Sequence, residues 1–159
     1  MPANQFTMTT LTSPDASSLG EVRVPAEAVY AAYKPVKALE MVPINGRSLV
    51  QFAFTGAFGK LLIDPESGEV METRDGSTTS TVNSSLEKFA DCLKFFTDLL
   101  SSAEVEDDPR DGDEGEDEDE DEALAQRLEA GIRKIDSRAF REDSYWYEIR
   151  WAVSLGDYT

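Results

Sequence analysis

The first half of the chain sets short apolar, strand-favouring runs between turn residues, and the second half repeats apolar positions at helical spacing. Ser48–Phe54 reads SLVQFAF, apolar and rich in strand formers. After Gly56 and Gly59, Lys60–Asp64 (KLLID) predicts another strand, with Glu69–Arg74 (EVMETR) as its returning partner. Between them, Asp64-Pro65-Glu66-Ser67-Gly68 supplies a turn former and then a glycine able to take positive φ, the chemistry of a hairpin loop with a bulge. Glu21–Val24 predicts one more short strand. Pro25 suits the first turn of a helix over Ala26–Tyr33, stopped by Pro35.

The helical period takes over near Ser84. There Val82-Asn83-Ser84-Ser85-Leu86-Glu87 reads as a capping box, with Ser84 as cap and Glu87 three residues on. Leu86, Phe89, Ala90, Leu93, Phe96 and Leu100 follow at helical spacing and predict one broad buried face. Leu124, Leu128, Ile132 and Ile135 form a second stripe, broken at Asp136-Ser137. Arg138–Glu142 then leads to a terminal helix over Tyr145–Leu155. On that helix Trp146, Ile149 and Val153 share a face while Tyr147 and Trp151 fall off it, so these two are either packed under a neighbour or exposed as anchors for a partner. Strands first and helices after predict an α+β fold, an antiparallel sheet in the first half with helices packed on it.

Composition divides the chain further. With 159 residues, 40% of them hydrophobic, it has material for a single core. Residues 1–20, rich in Thr, Ser, Pro and Asp, are expected to be a loose lead-in to one domain over residues 21–159. The net charge is -17, from 15 bases and 32 acids, and it is unevenly placed. Glu104–Glu122 holds 14 of the acids and one base, Arg110, a local -13; the remaining 18 acids and 14 bases leave the rest of the chain at -4. With Pro109, Gly112, Gly115 and only Val105 as a large apolar residue, segment 104–122 is expected to be a disordered acidic loop interrupting the domain. Its plain reading is a solvated linker; its functional reading is a tentacle that steers a basic partner. A calcium loop starting at Asp107 would place Asp111, Gly112 and Glu118 correctly but puts Pro109, which has no side-chain oxygen, at the third position.

Candidate chemistry is sparse. Without histidine there is no Ser-His-Asp or Cys-His nucleophile and no ordinary zinc site. The single Cys92 permits no intramolecular disulfide and, among Ala90, Leu93 and Phe96, reads as a small core residue. Asp64 is the one acid at a strand end, where it opens a proline turn and has an ordinary structural job. The TGAFG run lacks the spacing of a phosphate cradle. No catalytic residue, metal or cofactor is therefore assigned, and no enzyme activity is expected. Acidity argues against nucleic acid and anionic membrane as partners. The chain lacks a signal peptide and any apolar run of the roughly 20 residues a membrane span needs, which reads as cytoplasmic.

Three motifs then fall in order over residues 49–152. A D-x-x-(T/S)-G-x-V turn runs from Asp64 to Val70, a V-N-(S/T)-S-L-x-x-F helix start from Val82 to Phe89, and an I-D-x-x-A-F motif from Ile135 to Phe140 with Trp146 shortly after. In this the chain resembles bacterial immunity proteins of the SUKH superfamily, in particular the subgroup associated with deaminase and nuclease toxins. The resemblance implies a non-enzymatic α+β domain, part of a polymorphic toxin system, that binds and neutralises a cognate, nucleic-acid-targeting toxin by covering its active site or substrate groove. The chain departs from that pattern in an amino-terminal part expected to be shorter than the family usually carries before its first central strands, and in an acidic insert longer than its connection needs. The alternative is a regulatory or scaffold domain of the same fold that binds an endogenous protein. A carboxylate hydrolase would need two acids converging in an apolar pocket. The expected interface combines Glu114, Glu116, Asp117, Glu118, Asp119, Glu120 and Asp121 with Tyr147 and Trp151, facing a basic toxin; the oligomeric state is not set by the sequence.

Overall fold

Five strands follow one another in chain order as an antiparallel meander: β3 (Lys34–Ile44), β4 (Arg47–Thr55), β5 (Gly59–Ile63), β6 (Val70–Thr73) and β7 (Ser80–Asn83). A separate two-stranded sheet joins β1 (Met8–Thr12) to β2 (Glu21–Pro25). Three helices come after, α1 (Leu86–Glu106), α2 (Asp117–Ile135) and α3 (Tyr145–Ser154), giving an α+β fold with strands in the first half. The structure, a computed structural model, describes residues 7–12, 21–29, 32–56, 59–106, 117–141 and 144–155.

Turn chemistry sets the meander. Asn45 and Gly46 both take positive φ, at 52° and 77°, which lets a two-residue turn match the twist of β3 and β4. Gly68, at φ 81°, closes the β5–β6 turn and donates its N–H to the Asp64 carbonyl at 2.7 Å. In β4 the register slips between Gln51 and Ala53, so Phe52 and Ala53 both turn into the main core beside Leu61 and Ile63. That core fills the space between this side of the sheet and the helices, where Tyr33, Phe52, Phe89, Phe96, Tyr145 and Trp146 form a chain of ring contacts. Leu62, between Leu61 and Ile63, points the other way and joins Ile44, Leu49 and Met71 in a smaller cluster. Gly131 lets α2 approach α1 closely: a Cβ there would run into the Phe95 ring.

Several local expectations change. The helix over Ala26–Tyr33 is not found among the described residues. Pro25 ends β2, and Val29 and Tyr33 pair across an isolated antiparallel bridge. Tyr33 is fully buried against Phe52 and Phe89, and its hydroxyl donates to the Pro25 carbonyl at 2.7 Å, so tertiary packing overrides a spacing that suits a helix equally well. Pro35, expected to stop that helix, lies in β3, which tolerates prolines because it is the edge strand. Within the expected loose lead-in, Met8–Thr12 pairs residue for residue with β2 and buries Leu11. The helix cap is Ser85, whose hydroxyl accepts the Lys88 N–H at 3.1 Å; Ser84 is engaged elsewhere. Helical backbone also enters both ends of the acidic segment: α1 runs to Glu106 and α2 starts at Asp117, while residues 107–116, with the calcium-loop reading, lie outside the described residues.

Candidate partner-binding surface

A buried polar node pins the start of α3. The Trp146 indole donates to the Asn83 carbonyl oxygen at 2.8 Å, and the Asn83 amide nitrogen donates to Asp136 Oδ2 at 3.1 Å. The same oxygen accepts the Ser84 N–H at 2.8 Å and the Ser84 hydroxyl at 3.0 Å, while Oδ1 takes the Arg138 N–H at 3.3 Å. Burial works against the charge of Asp136, yet the bonds from Ser84, Asn83 and Arg138 hold its carboxyl below the usual range. Cys92 lies beside this node at 3.5 Å from the Asn83 amide, its thiol pushed up to about 12, chiefly by burial, as befits a core residue. Residues of the V-N-S-S-L and I-D-x-x-A-F motifs and the late tryptophan thus meet at one point.

With Trp146 and Val153 buried, the outward face of α3 is also determined. Glu148, Trp151 and Leu155 are on it, and the two apolar ones are 58% and 63% exposed. Tyr147 is different: it is half-buried with its ring 5.9 Å from Phe140, whose other neighbour is the Arg133 guanidinium. Of the two off-face aromatics, one packs under a neighbour and the other is exposed.

Beside α3 opens a cleft of about 310 Å³, lined by Glu72, Arg74, Asp75, Thr78, Thr79, Ser80 and Glu148. Glu72 shares the core-facing side of β6 with Val70, so its carboxylate is buried, and burial, only partly offset by Arg74, raises its pKa. Arg74 gives its Nε to Glu72 at 3.3 Å and both terminal nitrogens to Glu148, Nη1 at 3.0 Å to Oε1 and Nη2 to Oε2. Asp75 folds back on its own turn, accepting the Ser77 and Thr78 N–H groups at 2.8 Å each, which hold its carboxyl far below the usual range. Two carboxylates do converge here, but both pair with one guanidinium within polar walls, unlike an acid–base pair in an apolar pocket.

On the other side of α3, Arg150 clamps α2. Its terminal nitrogens fork onto Glu122 at 3.1 and 2.8 Å, and its Nε reaches Glu129 at 3.2 Å. The acidic first turns of α2 suit the positive end of the helix dipole and are tied down one residue before Trp151.

A family model described as SUKH-4 immunity protein matches residues 1–152. The chain belongs to the SUKH-4 immunity protein family. Comparisons with curated proteins and with solved structures gave no match. The superfamily resemblance read from the three motifs holds, and the matched span of this SUKH-4 chain takes in the β1–β2 pair as well. No helix among the described residues is long and apolar enough to cross a membrane.

Across this SUKH-4 domain the expected interface residues separate into groups. Trp151 and Glu120 are exposed, and Asp121 is half-buried at the start of α2. Asp117, Glu118 and Asp119 are placed on the helical backbone of α2, whereas Glu114 and Glu116 lie outside the described residues. Asp64, singled out at the strand end, is a turn residue: it accepts the Glu66 N–H at 2.9 Å and pairs with Arg47. Glu72, Arg74, Glu148 and Leu155 were not anticipated. One signal for Glu72 was available: a carboxylate at an apolar position of the strand alternation in VMET.

Proposed function

We propose that this SUKH-4 chain binds and neutralises a cognate, nucleic-acid-directed toxin in the cytoplasm, acting by coverage of the toxin and without catalysis of its own. The observation that carries this reading is the exposed Trp151–Leu155 ledge on a firmly positioned helix, next to the acidic start of α2. Apolar anchors within a charged rim suit a protein partner, and the sign of the rim suits a basic one, as a nucleic-acid-directed enzyme must be in its substrate groove. In this reading the acidic segment steers encounter and the aromatic ledge holds the complex. The test is co-expression with a candidate toxin encoded beside the gene for this chain. Capture of that protein and rescue of cells producing it support the reading; failure of both overturns it.

A further inference from the structure

We propose that the cleft over Glu72 receives a single arginine side chain of the bound partner, with Trp151 and Leu155 as the apolar anchors beside it. For the partner's identity this rests on the immunity reading; the chemistry of the cleft stands by itself.

Glu72 is only 5% exposed, yet it lines an open cleft and receives one hydrogen bond, at 3.3 Å. An ionised carboxylate has about four acceptor positions, so Glu72 keeps unused capacity beside the cleft. Arg74 reaches it through Nε alone, with its terminal nitrogens turned to Glu148. Glu72, Asp75 and Glu148 against Arg74 leave the lining at a formal -2, with the hydroxyls of Thr78 and Ser80 as further acceptors. A volume of about 310 Å³ is at the small end of ligand pockets, roughly 300–1,000 Å³, and suits one long side chain better than a cofactor. A planar guanidinium matches a carboxylate with a free edge, whereas phosphate-bearing ligands would meet three acids. Glu148 joins the two parts of the surface: it lines the cleft and shares the outward face of α3 with Trp151 and Leu155. Tryptophan in an apolar contact beside an arginine in an acidic pocket is the pairing in which binding energy concentrates.

The test uses the full chain, labelled with nitrogen-15 and titrated at low salt with Nα-acetyl-arginine amide, and in parallel with the citrulline analogue, which has the same shape without the charge. Saturable shifts of the Glu72–Ser80 and Glu148 amides with arginine alone, weakened about tenfold in Glu72→Gln/Glu148→Gln, support the proposal. An equal response to citrulline, shifts centred on Glu120–Glu122, or unchanged binding by the double variant overturns it. Should Glu72→Gln fail to fold, Glu148→Gln, on the surface, must still weaken binding about threefold or the proposal falls. With the toxin in hand the two readings separate. Capture of toxin at undiminished affinity by the double variant removes the arginine cleft and leaves immunity; arginine binding without toxin capture keeps the cleft and removes immunity.

Discussion

Asp136 and Glu72 are buried to a similar degree, 2% and 5% exposed, and each stands where an element of the sheet meets a helix. Their surroundings are opposite. Asp136 is met by two backbone N–H groups, a hydroxyl and an amide, all supplied by the chain itself, and its charge is favoured. Glu72 is met by one nitrogen of a shared arginine, faces a cavity, and its charge is disfavoured. Burial alone therefore says little about what a carboxylate does; the number of donors fixed around it says whether it locks the fold or is left with capacity for something else.

The comparison breaks most directly at Asp136. Asp136→Ala should cost about 3 kcal/mol or more in urea unfolding, since it strands buried donors of Ser84 and Asn83. A loss no larger than that of Glu72→Gln would remove the distinction. Trp146→Phe deletes the indole bond to Asn83 while keeping an aromatic ring, and should cost about 1–3 kcal/mol by the same measurement. Glu72→Gln should change stability at neutral pH by less than about 1 kcal/mol, because it replaces a disfavoured charge with a neutral group of the same shape. Trp151→Ala, at an exposed position, should stay within about 0.5 kcal/mol and show its effect only in toxin binding.

Acid titration sharpens the contrast through opposite signs. The folded pKa of Asp136 is below its unfolded value, so the stabilisation it provides is present above the unfolded pKa and is lost as pH falls through the folded one. The folded pKa of Glu72 is above its unfolded value, so the folded state takes up the proton first and acidification through that range adds stability. Glu72→Gln should therefore remove a mildly stabilising phase seen on lowering the pH from neutrality, and leave the steep loss at lower pH in place. An unchanged pH profile in this variant would contradict the disfavoured charge.

Much of this was legible in the sequence wherever periodicity was strong. Strands β4 to β6 and the three helices follow from alternation and from apolar stripes, and the α+β order with them. Strand β3 was not, since Pro35 and Pro43 argue against a strand unless it is known to be an edge, although Asn45-Gly46 is a hairpin signal that marks its end. The helix expected over Ala26–Tyr33 shows the limit from the other side: Val29 and Tyr33, four apart, fit a helical stripe and also a bridge. At the surface, helical phase placed Tyr147 and Trp151 off the buried face, but only the position of Phe140 decides which is covered. The cleft was out of reach, because Arg74 and Glu148 are 74 residues apart and nothing local to either announces the other.

Two of the attachments of α3 together have a mechanical consequence. Trp146 is pinned to the sheet side through Asn83, and one turn later Arg150 grips two acids of α2 that are seven residues apart. The first attachment sets the rotation of the helix about its axis; the second, with two teeth, sets its position along α2, since sliding by a turn would release both. A helix held in both coordinates before any partner arrives gives up little freedom on docking, so contact energy at the ledge passes into affinity with little spent on ordering it.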